Sequence, residues 1–265
     1  MQLVYLGNNL INDVMLGSQR MDDVLQIQTQ YIKTNLQALY DGNFNSTTSS
    51  WRTVVGNATA SIGSGVQFIT GSNKTPYYNV TGSINSFAWG TPQNIIDFGL
   101  NGTGARTVLL WINPTNLTNE SVLTWYGQNA GGTPTGDIEL LISSQANSNR
   151  LIISASTAAG AIATGSAATL GSVVTGSWQM VGYTTDGGNT IGAFDVWLNG
   201  NKQILTGSRT WSVNMTSGNN FWEFALIAAA KPYSGSVAYQ FIYNRKLSDA
   251  EIVQNYQYML ANFNQ

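Results

Sequence analysis

The sequence contains no cysteine and no histidine. Without histidine there is no Ser-His-Asp or Cys-His nucleophile and no imidazole general base. Without either residue there is no ordinary zinc, iron–sulfur or haem site, because those need thiolate or imidazole ligands. Disulfides are excluded as well. Charge is scarce: 11 basic and 13 acidic residues make up 9% of the 265, against roughly 25% in an ordinary domain. So few cations make no basic stripe, which argues against nucleic acid as a partner. No run approaches the ~18 apolar residues of a membrane helix, so membrane insertion is not expected. The opening residues Met1–Tyr5 show no basic region leading into an apolar one, and export by the general secretory route is not expected.

What is present is globular and rich in turn formers. Hydrophobic residues reach 43% and aromatics 11%, enough for a large core, and there are 28 glycines and 28 asparagines. Residues 1–30 carry a ten-residue repeat. Val4-Tyr5-Leu6-Gly7-Asn8-Asn9-Leu10-Ile11-Asn12-Asp13 is followed by Val14-Met15-Leu16-Gly17-Ser18-Gln19-Arg20-Met21-Asp22-Asp23, and a third copy starts at Val24-Leu25. An apolar triplet, a Gly-polar turn and a short return reads as a hairpin. Two-stranded ribbons are marginal alone in water. This one is therefore expected either to add to the edge of the main sheet or to dock on a partner through Tyr5, Leu6, Met15 and Leu16.

Residues 31–265 read as all-β, with short apolar runs separated by Gly, Asn, Ser and Thr turns. Thr107–Ile112 is a strand, stopped by Asn113-Pro114. Ile138–Ile142 and Arg150–Ser154 follow, and the small-residue stretch 155–176 is read as one strand pair. In Ser177–Tyr183, Trp178, Met180 and Gly182 share a face. Ala193–Leu198 runs into Asn199-Gly200, which favours a type I′ hairpin, and Lys202–Leu205 returns. Ser248-Asp249-Ala250-Glu251 is a capping box. Ile252, Tyr256, Met259, Leu260 and Phe263 mark the apolar stripe of the helix it starts, which is expected to close one end of the sandwich.

Several of these segments resemble the concanavalin A-like, laminin-G-like domains. Gly176–Gly187 with Phe194–Gly200 is similar to that group's "G-x-W-x-x-V-x-x-T-x-D-G … L-Y-V-N-G" signature. Ala238–Ile252, containing Tyr243-Asn244-Arg245-Lys246-Leu247-Ser248, resembles its closing "Y-N-R-x-L-S-x-x-E-I" element. Leu36–Asn43 with Trp51 is similar to its opening, and Thr107–Pro114 to its "W-F-K-P" strand. The resemblance implies a two-sheet antiparallel jelly-roll sandwich with a short C-terminal helix. That opening and the Tyr-Leu-Gly repeat also resemble segments of phage virion proteins. They imply a virion component that contacts copies of itself, other virion proteins and possible cell-surface glycans.

The carboxylates offer little chemistry. Glycosidases of this fold carry a Glu-x-Asp-x-x-Glu strand, whereas Asp137-Ile138-Glu139 runs on into Leu140-Leu141-Ile142 with no third acid. Asp186-Gly187-Gly188 has one carboxylate, so it reads as a turn, and calcium is only a weak candidate. Asp195 is expected to face water. No cofactor is expected. Trp111, Trp178 and Trp197 lie in strong strand patterns and read as core. Trp125, Tyr126, Asn129, Trp211 and Trp222 border polar, Gly-rich turns. Sugar faces stack on such rings while amides bond the hydroxyls, so this set is either a glycan site or half-buried core and subunit contacts. The function expected from all this is a non-enzymatic structural or binding component of a phage-like virion, as capsid decoration, head fibre or tail and baseplate protein. The alternative is a free lectin-like module, and a glycoside hydrolase is the least favoured.

Overall fold

Valine, isoleucine and aromatic side chains suit a pleated, half-buried surface, and here they set the strands. The computed structural model describes residues 4–6, 9–11, 15–16, 19–20, 30–40, 44–45, 50–52, 55, 59–62, 66–70, 75–81, 89–90, 98–100, 102–117, 121–128, 134–143, 149–156, 162–167, 172–187, 193–206, 220–223 and 233–263. The first strands are β1 (Val4–Leu6), β2 (Asn9–Ile11), β3 (Met15–Leu16) and β4 (Gln19–Arg20). They form two separate hairpins, and neither joins a larger sheet. Tyr5 pairs with Leu10 and Met15 with Arg20, so the ten-residue repeat of the sequence is also a repeat of register.

The remaining strands are β5 (Leu36–Tyr40), β6 (Phe44–Asn45), β7 (Ser50–Arg52), β8 (Thr59–Ser61), β9 (Val66–Ile69), β10 (Tyr77–Thr81), β11 (Trp89–Gly90), β12 (Arg106–Asn116), β13 (Ser121–Gln128), β14 (Pro134–Ser143), β15 (Arg150–Ser156), β16 (Ile162–Ala167), β17 (Gln179–Thr185), β18 (Phe194–Leu198), β19 (Asn201–Gln203), β20 (Leu205–Thr206), β21 (Asn220–Glu223) and β22 (Ser234–Tyr243). One sheet has the order β19-β18-β17-β12-β22-β10-β9, with β5 also on β22. The other has the order β20-β16-β15-β14-β13-β21-β11-β8-β7-β6. Val108, Leu110, Val181 and Ile242 of the first meet Ile138, Leu140, Ile142 and Ile153 of the second in one buried core. The architecture is thus the expected all-β antiparallel jelly-roll sandwich with one C-terminal helix.

Four local expectations are corrected. Pro114 does not stop β12, which continues to Asn116. Beyond Ile112 β17 no longer pairs with that strand, so the ladder needs no N–H from Pro114, whose carbonyl accepts the Gly176 amide at 2.9 Å. Lys202–Leu205 does not return as one strand. Asn199 (φ 51°) and Gly200 (φ 76°) make the tight turn, but the chain changes sheets at Ile204, with β19 on β18 and β20 on β16. Asp195 does not simply face water, because Lys246 Nζ lies 2.9 Å and Lys202 Nζ 3.4 Å from its carboxylate. The helix α1 (Asp249–Asn262) does not close an end. It covers the outer face of the eight-stranded sheet, where Leu109, Trp111, Met180, Trp197, Tyr239 and Phe241 pack with Ile252 and Met259. Leu260 points away and is 51% exposed, while Asn255 is fully buried.

The closing motif explains how α1 is fastened. Ser248 Oγ accepts the Glu251 amide, and Glu251 accepts the Ser248 amide at 2.9 Å, completing the capping box. Arg245 grips the same carboxylate with two bonds of 2.9 and 2.7 Å. Asn255 donates to Tyr243 Oη and accepts the Ile32 amide, while Tyr243 donates to the Ile32 carbonyl. Thr107 Oγ1 bonds the Arg245 carbonyl and the Leu247 amide. Under the helix, a Cβ on Gly182 would lie 2.2 Å from the Val108 carbonyl oxygen.

Gly182→Ala is expected to cost about 3 kcal/mol, the upper end for overpacking, because its nearest obstacle is backbone; urea unfolding measures it. The Arg245 guanidinium, with Ser248 behind it, holds the Glu251 carboxyl down to about 2 against an ordinary 4.5. A depressed acid stabilises the fold above its unfolded pKa and loses that stabilisation as it protonates. Melting temperature is therefore expected to fall between about pH 4.5 and pH 2 more steeply in the native chain than in Glu251→Gln. Parallel slopes in a thermal series would show that the pair contributes nothing.

Candidate functional site

Helix α1 packs on the outer face of the eight-stranded sheet, and the candidate recognition surface lies on the ten-stranded one. In an antiparallel sheet, residues directly opposite each other share a face, and successive residues alternate. Ile138 and Leu140 of β14 belong to the core between the sheets, which puts the row of Glu139 on the outer side. Trp125 is opposite Glu139 across β13–β14 and opposite Trp222 across β13–β21. Trp222 is opposite Trp89, and Trp89 is opposite Ser61. On the far side Glu139 is opposite Ser154, and Ser154 opposite Thr164.

The result is one cross-strand row, Ser61–Trp89–Trp222–Trp125–Glu139–Ser154–Thr164. Three tryptophan positions occupy adjacent strands, flanked by one carboxylate and by hydroxyl residues. Neighbouring strands are about 4.8 Å apart, so the tryptophan positions span about 10 Å. A β-bulge between Val122 and Thr124 shifts the phase of β13 and brings Trp125 into this row.

The structure divides the residues singled out from the sequence. Trp125 and Trp222, almost a hundred positions apart, become direct neighbours. Tyr126 falls in the next row, opposite Ile138 and Phe221, and rows that adjoin along a strand serve opposite faces. Asn129 and Trp211 lie outside the described residues. Trp89 was missed because β11 is only two residues long and offers no alternating pattern. Trp111 and Trp197 are buried as expected, but beneath α1 rather than between the sheets, and Trp178 is only half-buried beside Phe263. Tyr5 and Leu6 are in β1, and Met15 and Leu16 in β3. Asp186 is exposed at the turn after β17. Among the described residues there is no group of three or more carboxylates able to hold a metal ion.

Solved structures share this architecture. Trypanosoma rangeli sialidase in complex with sialic acid superposes with a TM-score of 0.61 at 14% identity, over 87% of this chain and 34% of that one. The binding domain of Paraclostridial Mosquitocidal Protein 1 gives 0.61 at 15%, over 84% and 52%. Domain 4 of a GH43 extracellular arabinanase from Geobacillus stearothermophilus, in complex with arabinotriose, gives 0.55 at 16%, over 83% of this chain and 97% of that domain. The chain thus spans about a third of the sialidase and half of the mosquitocidal protein's binding domain. Among curated proteins no sequence matches it. The family model for the concanavalin A-like lectin/glucanases superfamily matches residues 91–253, more than half of the sequence, and contains β12 to β22 with the start of α1. This chain belongs to the concanavalin A-like lectin/glucanases superfamily.

Proposed function

We propose that this chain is a non-enzymatic glycan-recognition protein carried on a phage-like virion, where the N-terminal ribbon docks it to copies of itself or to other virion proteins. The observation that carries the reading is the row Trp89–Trp222–Trp125 with Glu139 beside it. Stacking of sugar faces on indole rings, with a hydroxyl bonded by a carboxylate beside them, is the chemistry such a row supplies. Support for binding without hydrolysis comes from β14, where the positions after Glu139 are apolar and no third acid follows. Recognition on this row needs no metal. Support for docking on a partner comes from the repeat: two hairpins in the same register, outside both main sheets, are too small to be stable alone.

A second reading, a free lectin-like module, is favoured by one observation. The arabinanase domain is matched over 97% of its length, so a domain of similar extent occurs as domain 4 of a longer enzyme.

A glycan array and native mass spectrometry on the full chain test both. Glycan binding by an oligomer is the expected result, whereas binding by a monomer favours the second reading and a bare array rejects recognition of sugars. Trp222→Ala is expected to weaken binding on the order of tenfold, about 1.4 kcal/mol of stacking, without changing the far-ultraviolet circular dichroism. Chelation with EDTA is expected to leave affinity unchanged, as isothermal titration would show.

A further inference from the structure

Arg106, the first residue of β12, is 1% exposed, yet no carboxylate among the described residues pairs with it. Its guanidinium donates instead to three backbone carbonyls. One Nη bonds Leu100 O at 2.5 Å, the other Gly102 O at 2.8 Å, and Nε bonds Gly104 O at 3.0 Å. Three carbonyls of alternate residues thus converge on one planar cation, each taken by a different nitrogen. Burial holds the guanidinium pKa below its usual value, but an arginine remains charged. Removing that charge from water is costly, and charge-assisted bonds to carbonyl dipoles are what offset it here.

The neighbouring turn belongs to the same construction. Arg106 is opposite Thr185 in the sheet, and Gly187 packs so closely on the loop that a Cβ there would lie 2.8 Å from Thr103 O and 3.0 Å from Ala105 N. Asp186-Gly187 is the turn at which the sequence offers its weak calcium signal. The loop against it already has a cation at its centre, supplied by the chain.

We propose that the Arg106 guanidinium is the built-in cation of this rim, holding by a side chain the carbonyl cage that a bound metal ion would otherwise have to hold. The rim is then indifferent to divalent ions. Shortening the side chain converts the cage into a receptor for a small planar monocation, free guanidinium being the fitting probe.

Thermal melts of the full chain and of Arg106→Ala test this, each with millimolar guanidinium chloride, equal sodium chloride, calcium chloride or EDTA. The native chain is expected to melt at one temperature in calcium and in EDTA. Arg106→Ala is expected to melt about 6–12 °C lower, as for loss of a buried, hydrogen-bonded charge in a chain of this size. Millimolar guanidinium, far below denaturing levels, is expected to restore part of that loss where sodium chloride does not. Three results overturn the proposal: no difference between guanidinium and sodium chloride on Arg106→Ala, equal recovery by calcium, or a drop in the native melting temperature with EDTA. If Arg106→Ala does not fold on expression, its refolded yield on dilution from urea is read instead. A higher yield with guanidinium than with sodium chloride supports the cage, and equal yields overturn it.

Discussion

Strand β22 has no wet side, and the rest of the molecule is arranged around that fact. Val237 and Ile242 face the core between the sheets, while Tyr239, Phe241 and Tyr243 face outward into a second buried cluster. A sheet apolar on both faces must be covered twice. The ten-stranded sheet covers one side and α1 the other. The tryptophan row lies on the other sheet, on the side turned away from the core that the two sheets share. The division of labour between the two faces is thus a matter of burial before it is a matter of recognition.

The motif most specific to the superfamily serves this covering task. Tyr243, Arg245, Leu247, Ser248 and Glu251 all bond or pack at the junction between β22 and α1. Their chemistry is mechanical attachment rather than ligand contact. The candidate recognition row draws on short strands outside that motif, β11 and β21 among them. A binding preference can therefore change along this row without disturbing the attachment that holds the fold.

Sequence and structure agree where the physics is local. The capping box of Ser248 and Glu251 and the turn at Asn199-Gly200 depend on residues within four positions of each other, and both are present. Local pattern misleads where a distant partner decides the outcome. Asn255 sits on the buried face because Tyr243 and the Ile32 backbone satisfy its amide, while Leu260 points away, and neither partner is visible in the helix's own periodicity. Pro114 stayed in a strand because β17 had already ended opposite Ile112. The same limit applies to the site. Trp125 and Trp222 were recognised as polar-turn aromatics, but their adjacency follows from sheet order, which no window of sequence contains. Trp125 and Tyr126 looked like one pair, and a period of two separates them.

The strap formed by residues 30–35 has a mechanical meaning. Gln30 is held by Gln254, Ile32 by Asn255 and Tyr243, Thr34 by Arg245 and Asn35 by the Asn244 amide, while Tyr31 packs edge-on against Phe241 and Tyr258. The strap thus stitches the start of the sandwich to both the helix and the central strand β22, which lie near the other end of the chain. The tryptophan row is on the opposite sheet, away from every one of these contacts.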